Sequence, residues 1–406
     1  MNILLINHYA GSPQYGMEYR PYYLAREWVK MGHNITIVGA DFSHLRIKQP
    51  TAGEEYIDGI RYVWLSTPAY QGNGVGRIKN MLSFLWKLYR QEKQVIGEHK
   101  PDVVIASSTY PLDIYPAHFM AKKYKAKLVF EVHDIWPLTP MEIGHMSKWH
   151  PFIMVMQMAE NYMCRHVDKL ISILPKAEEH YLEHGLAKGK FVHIPNGIVI
   201  DKNSHGGGGN LPAAYIELFT ALRSKKHFIL GYVGGMAKSN ALMALLEAAV
   251  KVQDLPVDIV LAGDGAERAG LVTKAKKYGL EQVHFLSAVG KSLVPKVLAN
   301  MDALYIGWQD TALYQYGVSA NKIFDYLLAQ KPVLWAGNTG NNPVKEANAG
   351  LAVPSSNPED IAAGIRQMAG TEKVLLNQWG TNGCTYVKAN HNYRNLAEKF
   401  INAISG

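Results

Sequence analysis

The residues of this chain that could do chemistry sit in short turns that follow apolar runs. FILGYVGGMAKSN places Gly234 and Gly235 directly after a strand-like run, with Lys238 close behind and an apolar helix pattern beyond. LAGDGAERAGL repeats that layout with Gly263, Asp264 and Gly265. YGVSANKIFDYLL sets Ser319, Ala320 and Asn321 at a helix start, with Lys322 and Asp325 in its first turns. Glycines let backbone N–H groups approach an anion, and a helix N-terminus adds a favourable potential. Lys322 with those amides suits a diphosphate, while a carboxylate one turn on suits ribose hydroxyls. The competing reading of Ser319 and Asn321 is plain helix capping.

Two further turns lie in the first half. Gly11 and Gly16 bracket a loop before a helix expected to start near Met17. Their spacing is not G-x-G-x-x-G, so a simple tight turn competes with an anion cradle. LVFEVHDIWPLT ends a strand in His133–Asp134, which puts an imidazole at a strand's carboxyl end. A structural histidine is the alternative there.

Several chemistries drop out. D-x-D is absent, which removes the obvious paired-carboxylate metal site, and AVGKS at 288–292 lacks the first glycine of a P-loop. G-x-S-x-G is also absent. His180 and His184 stand four apart in EEHYLEH and could face one metal, against the plainer reading of an exposed helix end. No metal and no cofactor are expected in the site.

The elements that must position these turns follow a regular order. Strand-like runs at 2–7, 34–39, 61–65, 103–107, 128–132, 169–174 and 191–194 alternate with helical stretches such as 19–31 and 78–97. The pattern breaks around 195–203, where HGGGGN follows, and then restarts with strands at 228–233, 257–262, 283–286, 303–306 and 333–335. Helical stretches at 241–252, 266–278, 293–300, 321–328 and 358–369 separate and follow those strands. This alternation is the mark of doubly wound α/β architecture, so two Rossmann-like domains facing each other across a cleft are expected. Domain 1 spans 1–198 and domain 2 spans 199–384. An amphipathic tail with Leu396, Phe400, Ile401 and Ile404 at helical spacing crosses back to the first domain from about residue 385. At 406 residues, two cores are also what length alone predicts.

Composition narrows the class further. Hydrophobic residues at 48% and charged residues at 19% describe a folded chain and exclude a disordered one. Two cysteines, Cys164 and Cys384, cannot form a disulfide scaffold. There is no apolar run of membrane-spanning length and no secretory signal pattern at the N-terminus, so a cytoplasmic location is expected. The net charge of +8 divides evenly, with 22 Lys/Arg against 18 Asp/Glu in residues 1–200, and no basic tail suggests nucleic acid.

Taken together, these motifs resemble the retaining glycosyltransferases of family 4, with their two-domain GT-B fold. The carriers are GMEYRPYYLAREWVKMGHNITIVGA, VHDIWP, IPNGI at 194–198, YVGG, AGDGAE and SANKIFDYLLAQKPVL, and they span nearly the whole chain. GMEYRPYYLA and the S-x-NK-hydrophobic-FDY pattern look most like the L-fucosamine transferase branch of O-antigen and capsule synthesis. The resemblance implies retention of anomeric configuration and a nucleoside diphosphate sugar donor, UDP above all. Its acceptor is a saccharide, often carried on polyprenyl diphosphate. It assigns Gly16, Gly234, Gly235, Gly263, Ser319, Ala320, Asn321 and Asp325 to donor binding, and His133, Lys238 and Lys322 to catalysis. Two departures stand out. The first glutamate of the family's E-x7-E motif falls at Gly317, and its Arg/Lys pair is incomplete, with Gly235 where the arginine is expected. A non-hydrolysing UDP-sugar 2-epimerase, or an inactive sugar-nucleotide-binding subunit, would share the fold.

One more expectation concerns a surface. Residues 77–127 hold ten basic and four acidic side chains. Within them Ile78, Met81, Leu82, Leu85, Leu88 and Tyr89 form a helical stripe that Phe84 and Trp86 widen, with Lys79, Lys87 and Arg90 on the opposite face. Burial against a sheet explains such a stripe, and so does peripheral contact with the anionic inner membrane.

Overall fold

The computed structural model describes residues 1–16, 19–72, 74–200, 209–354 and 357–405. The helix start expected near Met17 and the glycine-rich residues 205–208 lie outside them. The chain divides into two compact units, Met1–Gly197 with Tyr393–Gly406, and Ile198–Asn392.

The first unit is built on β1 (Asn2–Ile6), β2 (Asn34–Ala40), β3 (Gly53–Ile57), β4 (Ile60–Leu65), β5 (Val103–Ala106), β6 (Lys127–Val132), β7 (Lys169–Ser172) and β8 (Phe191–His193). Their order across the sheet is β3-β4-β2-β1-β5-β6-β7-β8. Every pairing is parallel except β3 with β4. β5 is buried from end to end and β1 from Ile3 onward, as a sheet covered on both faces requires. The apolar pattern misses β3 and, in the second unit, the strand Gly350–Val353; β3 lies at its sheet's edge and alternates half-buried with exposed residues. Its signal was nonetheless present: Asp58–Gly59, both at positive φ, is the two-residue D-G hairpin turn.

The second unit holds β9 (Phe228–Val233), β10 (Val257–Ala262), β11 (Val283–Leu286), β12 (Ala303–Gly307), β13 (Val333–Ala336) and β14 (Gly350–Val353). They form an all-parallel sheet in the order β11-β10-β9-β12-β13-β14. Alternate residues of β9 feed two separate cores: Leu230 and Tyr232 join one, Ile229 and Val233 the other. The sheet is therefore covered on both faces by helices.

The chain returns to the first unit at Tyr393, not at residue 385. The helix Lys373–Asn390 stays with the second unit because Cys384 and Val387 are buried in its core, beside Leu327 and Leu328 of the helix Asn321–Leu328. The helix Tyr393–Ser405 then packs on the helix Tyr19–Lys30. Trp28 donates its indole N–H to the Ala397 carbonyl at 3.1 Å and stacks edge-on to Phe400. Leu396, Phe400 and Ile404 are buried there, with Ala397 rather than Ile401 completing the apolar face. No described helix is long and apolar enough to cross a membrane.

Candidate active site

In both sheets the chain order reverses beside the first strand of the unit, between β1 and β5 and between β9 and β12. Ligands of doubly wound sheets bind beyond the carboxyl ends of the strands at such points.

In the second unit a cavity of ≈ 340 Å³ opens beyond the carboxyl ends of β9 and β10, lined by the turns after those strands, by Lys291 and Val294, and by Lys322, Asp325 and Tyr326. Gly234, Gly235 and Gly263 all line it. The two glycine turns lie edge to edge. Gly234 N–H donates to the Ala262 carbonyl at 3.0 Å and Met236 N–H to the Asp264 carbonyl at 2.7 Å. A Cβ on Gly263 would stand 2.0 Å from the Gly234 carbonyl oxygen, so only glycine permits this approach. The glycines here serve the contact between turns.

Lys322 is half-buried among neutral partners. Its ammonium donates to Tyr232 Oη at 2.8 Å and to Asn240 Oδ1 at 2.5 Å, and burial lowers its pKa to about 8. Tyr232 Oη and Asn240 Nδ2 in turn donate to the Gly235 carbonyl, so one lysine and two side chains hold the turn after β9. No carboxylate among the described residues pairs with this cation, which leaves its field available to an anion in the cavity. Asp325 bonds Lys291; burial raises its pKa, and the Lys291 ammonium opposes that rise. Lys291 comes from AVGKS, the segment set aside as a failed P-loop. Tyr232, Asn240 and Lys291 are the members of the site that sequence reasoning missed, and the basic residue in that glycine turn was the available signal.

Ser319, Ala320 and Asn321 precede or open the helix Asn321–Leu328. Ala320 is its N-cap residue and has no side chain that could cap it. None of the three lines the cavity among the described residues. Lys238 stands exposed on the turn after β9, and it too is absent from the lining. Gly317, at the position of the absent glutamate, has φ +106°, a conformation that side-chain-bearing residues rarely adopt.

In the first unit, His133 follows β6 and takes part in a buried chain of polar groups. Arg20 Nε donates to Glu131 Oε1 at 3.0 Å, while its other nitrogens donate to the Ile194 and Pro195 carbonyls. Ser107 Oγ donates to Glu131 Oε2 at 2.6 Å and lies 2.9 Å from His133 Nε2. Because the serine hydrogen goes to the carboxylate, the His133 ring must supply the other, so Nε2–H donates to Ser107. Burial alone would raise the Glu131 carboxyl. Arg20, His133 and Ser107 outweigh it and hold the pKa well below the usual carboxylate range. The imidazole is thus aimed by a fixed tautomer at the end of a rigid strand. Gly16 closes the loop after β1 at φ +72°, with its N–H on the Ser12 carbonyl at 2.8 Å. It serves a tight turn, whether or not a ligand lies against it.

Against this geometry, residues 15–197 match the model of the glycosyl transferase 4-like domain and residues 227–370 that of glycosyl transferases group 1. The chain belongs to the family 4-like glycosyltransferases and has the GT-B fold. Its relatives include WcaI of Escherichia coli (strain K12), which carries the name of a colanic acid biosynthesis glycosyl transferase; the two are 23% identical over 94% of each chain. HepE of Anabaena, solved in complex with UDP-glucose, matches at TM-score 0.67 and 16% identity over 100% of this chain and 99% of that one. WaaG, a glycosyltransferase involved in lipopolysaccharide biosynthesis, matches at TM-score 0.65 and 16% identity over the whole of both chains.

Proposed function

We propose that the protein transfers a sugar from a nucleoside diphosphate sugar, with UDP as the nucleotide, to a saccharide acceptor in surface polysaccharide synthesis, with retention and without a metal or cofactor. The observation that carries this reading is the cavity beyond β9 and β10, where Lys322 and Lys291 meet two glycine turns and a carboxylate. Departure of a diphosphate is the hard part of such a transfer. Fixed amides and cations that wait where the charge develops lower its barrier without reorganising. Lys322 and Lys291 answer that need better than Lys238, because they line the cavity. His133 serves the reacting sugar from the first unit. The leaving phosphate oxygen deprotonates the acceptor on the same face, which preserves configuration. The named roles of WcaI and WaaG favour a polysaccharide or lipopolysaccharide acceptor, and the UDP-glucose held by HepE favours UDP. O-antigen or capsule synthesis, with an acceptor on polyprenyl diphosphate, fits the resemblance to the fucosamine transferase branch.

A panel of UDP-sugars, read by UDP release with and without saccharide acceptors, tests the proposal. Acceptor-dependent release supports it. Interconversion of free UDP-sugars without an acceptor would identify an epimerase, and saturable UDP binding with no turnover an inactive subunit. Asp325→Ala is expected to weaken UDP binding by about 1.5–3 kcal/mol, as loss of a charge-assisted hydrogen bond does. Isothermal titration reads this directly, and unchanged affinity would remove Asp325 from the nucleotide site.

The membrane expectation is kept in a revised form. On the helix Val75–Arg90, Phe84 is fully buried with Met81 and Leu88, so it does not widen the exposed stripe. Ile78, Leu82 (55% exposed), Trp86 (58%) and Tyr89 form a separate outward face, extended by Phe119 against Tyr89. Arg90 lies over the Trp86 ring. An apolar strip beside cations suits an anionic bilayer surface, where each basic side chain contributes about 1 kcal/mol and salt screens it. Flotation with anionic vesicles should recover the protein at low salt and lose it at high salt. Equal behaviour with neutral vesicles would reduce the strip to ordinary surface.

A further inference from the structure

Beside β7 lies a cluster that the transfer reaction does not use. Glu160 belongs to the helix Pro151–His166, and His180 to the short helix Glu178–Glu183, which His184 closes. Glu160 and His180 are buried, and His184 is half-buried. One ligand atom from each of the three lies within 4.8 Å of the other two. His180 Nε2 is 2.8 Å from Glu160 Oε1, and His184 Nε2 is 3.8 Å from Glu160 Oε2.

Hydrogen bonds hold the cluster together. Gln157 Nε2 lies 2.7 Å from Glu160 Oε2, 3.0 Å from Asn161 Oδ1 and 3.2 Å from His184 Nδ1. A carboxylate only accepts, so Gln157 donates to Glu160. His184 Nδ1 also lies 3.0 Å from Asn161 Oδ1, and with Nδ1 engaged there the ring turns Nε2 toward the carboxylate.

We infer that Glu160, His180 and His184 form a binding site for a divalent transition metal, zinc above all, that ties the helix Pro151–His166 to the segment after β7. Two imidazoles and a carboxylate are a common zinc ligand set, with the fourth position open to water. Zinc–ligand bonds of about 2.0–2.1 Å put tetrahedral ligand atoms roughly 3.3 Å apart. One ligand atom from each residue lies within 4.8 Å of the others, so side-chain rotations bring them to that spacing. Gln157 and Asn161 hold Glu160 and His184 in place, the orienting role that neighbours of metal ligands usually perform. Uptake requires the His180 ring hydrogen to sit on Nδ1, so that zinc meets two neutral imidazoles, one carboxylate and a water. The site is separate from the proposed transfer chemistry, which needs no metal.

The test uses the full chain, stripped with a chelator and dialysed. Zinc titrated against a chromophoric chelator should bind in one tight equivalent, and cobalt(II) should give the visible bands of a four-coordinate site. Zinc should also raise the melting temperature. His184→Ala, at a half-buried position, should fold yet lose affinity by more than about tenfold, together with the cobalt bands and the thermal shift. Glu160→Gln should behave the same way, and if it does not fold, His184→Ala decides alone. Identical zinc titrations for the wild type and His184→Ala would overturn the proposal, as would a wild type that binds no zinc.

Discussion

His133→Ala is expected to reduce turnover by about 10²–10³-fold while leaving the melting temperature nearly unchanged. The size follows from what one preorganised hydrogen-bonding group at a reacting centre is typically worth. The small thermal effect follows from position. His133 follows β6 and is partly exposed, so its removal opens no cavity in the core. What it leaves behind is a serine that keeps its bond to Glu131. Steady-state UDP release against acceptor concentration, paired with a thermal melt, reads both halves. Wild-type turnover in a folded variant would return His133 to a purely structural role.

Glu131→Gln is expected to destabilise the protein by about 3–5 kcal/mol, because Arg20 would remain buried without its counter-charge. Chemical denaturation measures the loss. The pH dependence gives an independent check. The carboxyl of Glu131 titrates well below its ordinary range in the folded state, so its contribution is complete above the unfolded pKa of about 4.3. It fades as the pH falls toward the depressed folded value, and this part of the acid sensitivity should be missing in the variant. A double variant, Arg20→Met with Glu131→Leu, should recover most of the stability, since apolar residues often replace a buried ion pair without cost. It should not recover activity, because Ser107 and His133 would lose their anchor. A double variant with full turnover would break the proposed link between the ion pair and the imidazole.

The two effects separate because they act through different links of one chain of contacts. Arg20 starts the helix Tyr19–Lys30, Glu131 sits in mid-sheet and His133 stands at the strand end. On the proposed reading, stability resides at the buried end of that chain and chemistry at its edge.

Much of this was legible in the residues themselves. Apolar runs separated by helical patterns specify parallel sheets locally, because a strand buried on both faces has no choice of composition. Glycine turns after such runs mark the carboxyl edge, and that is where Gly234, Gly235 and Gly263 line a cavity with Lys322 and Asp325. The edge strand β3 escaped because half-exposed strands carry a weaker apolar signal. The return point escaped because the helix Lys373–Asn390 is amphipathic whichever unit it covers; only the burial of Cys384 and Val387 in a particular core decides.

Partner choice is what the linear order of residues left open. Nothing local pairs Arg20 with Glu131, Lys291 with Asp325, or Glu160 with His180, since each pair is brought together by strand order across a sheet or by helices packed upon it. The residue types and their turns were determined by the sequence alone, through periodicity and backbone freedom. Which charge meets which, and therefore which cation faces the cavity and which imidazole is aimed, was decided by tertiary packing, because electrostatic partners are chosen by distance in space and by the exclusion of water.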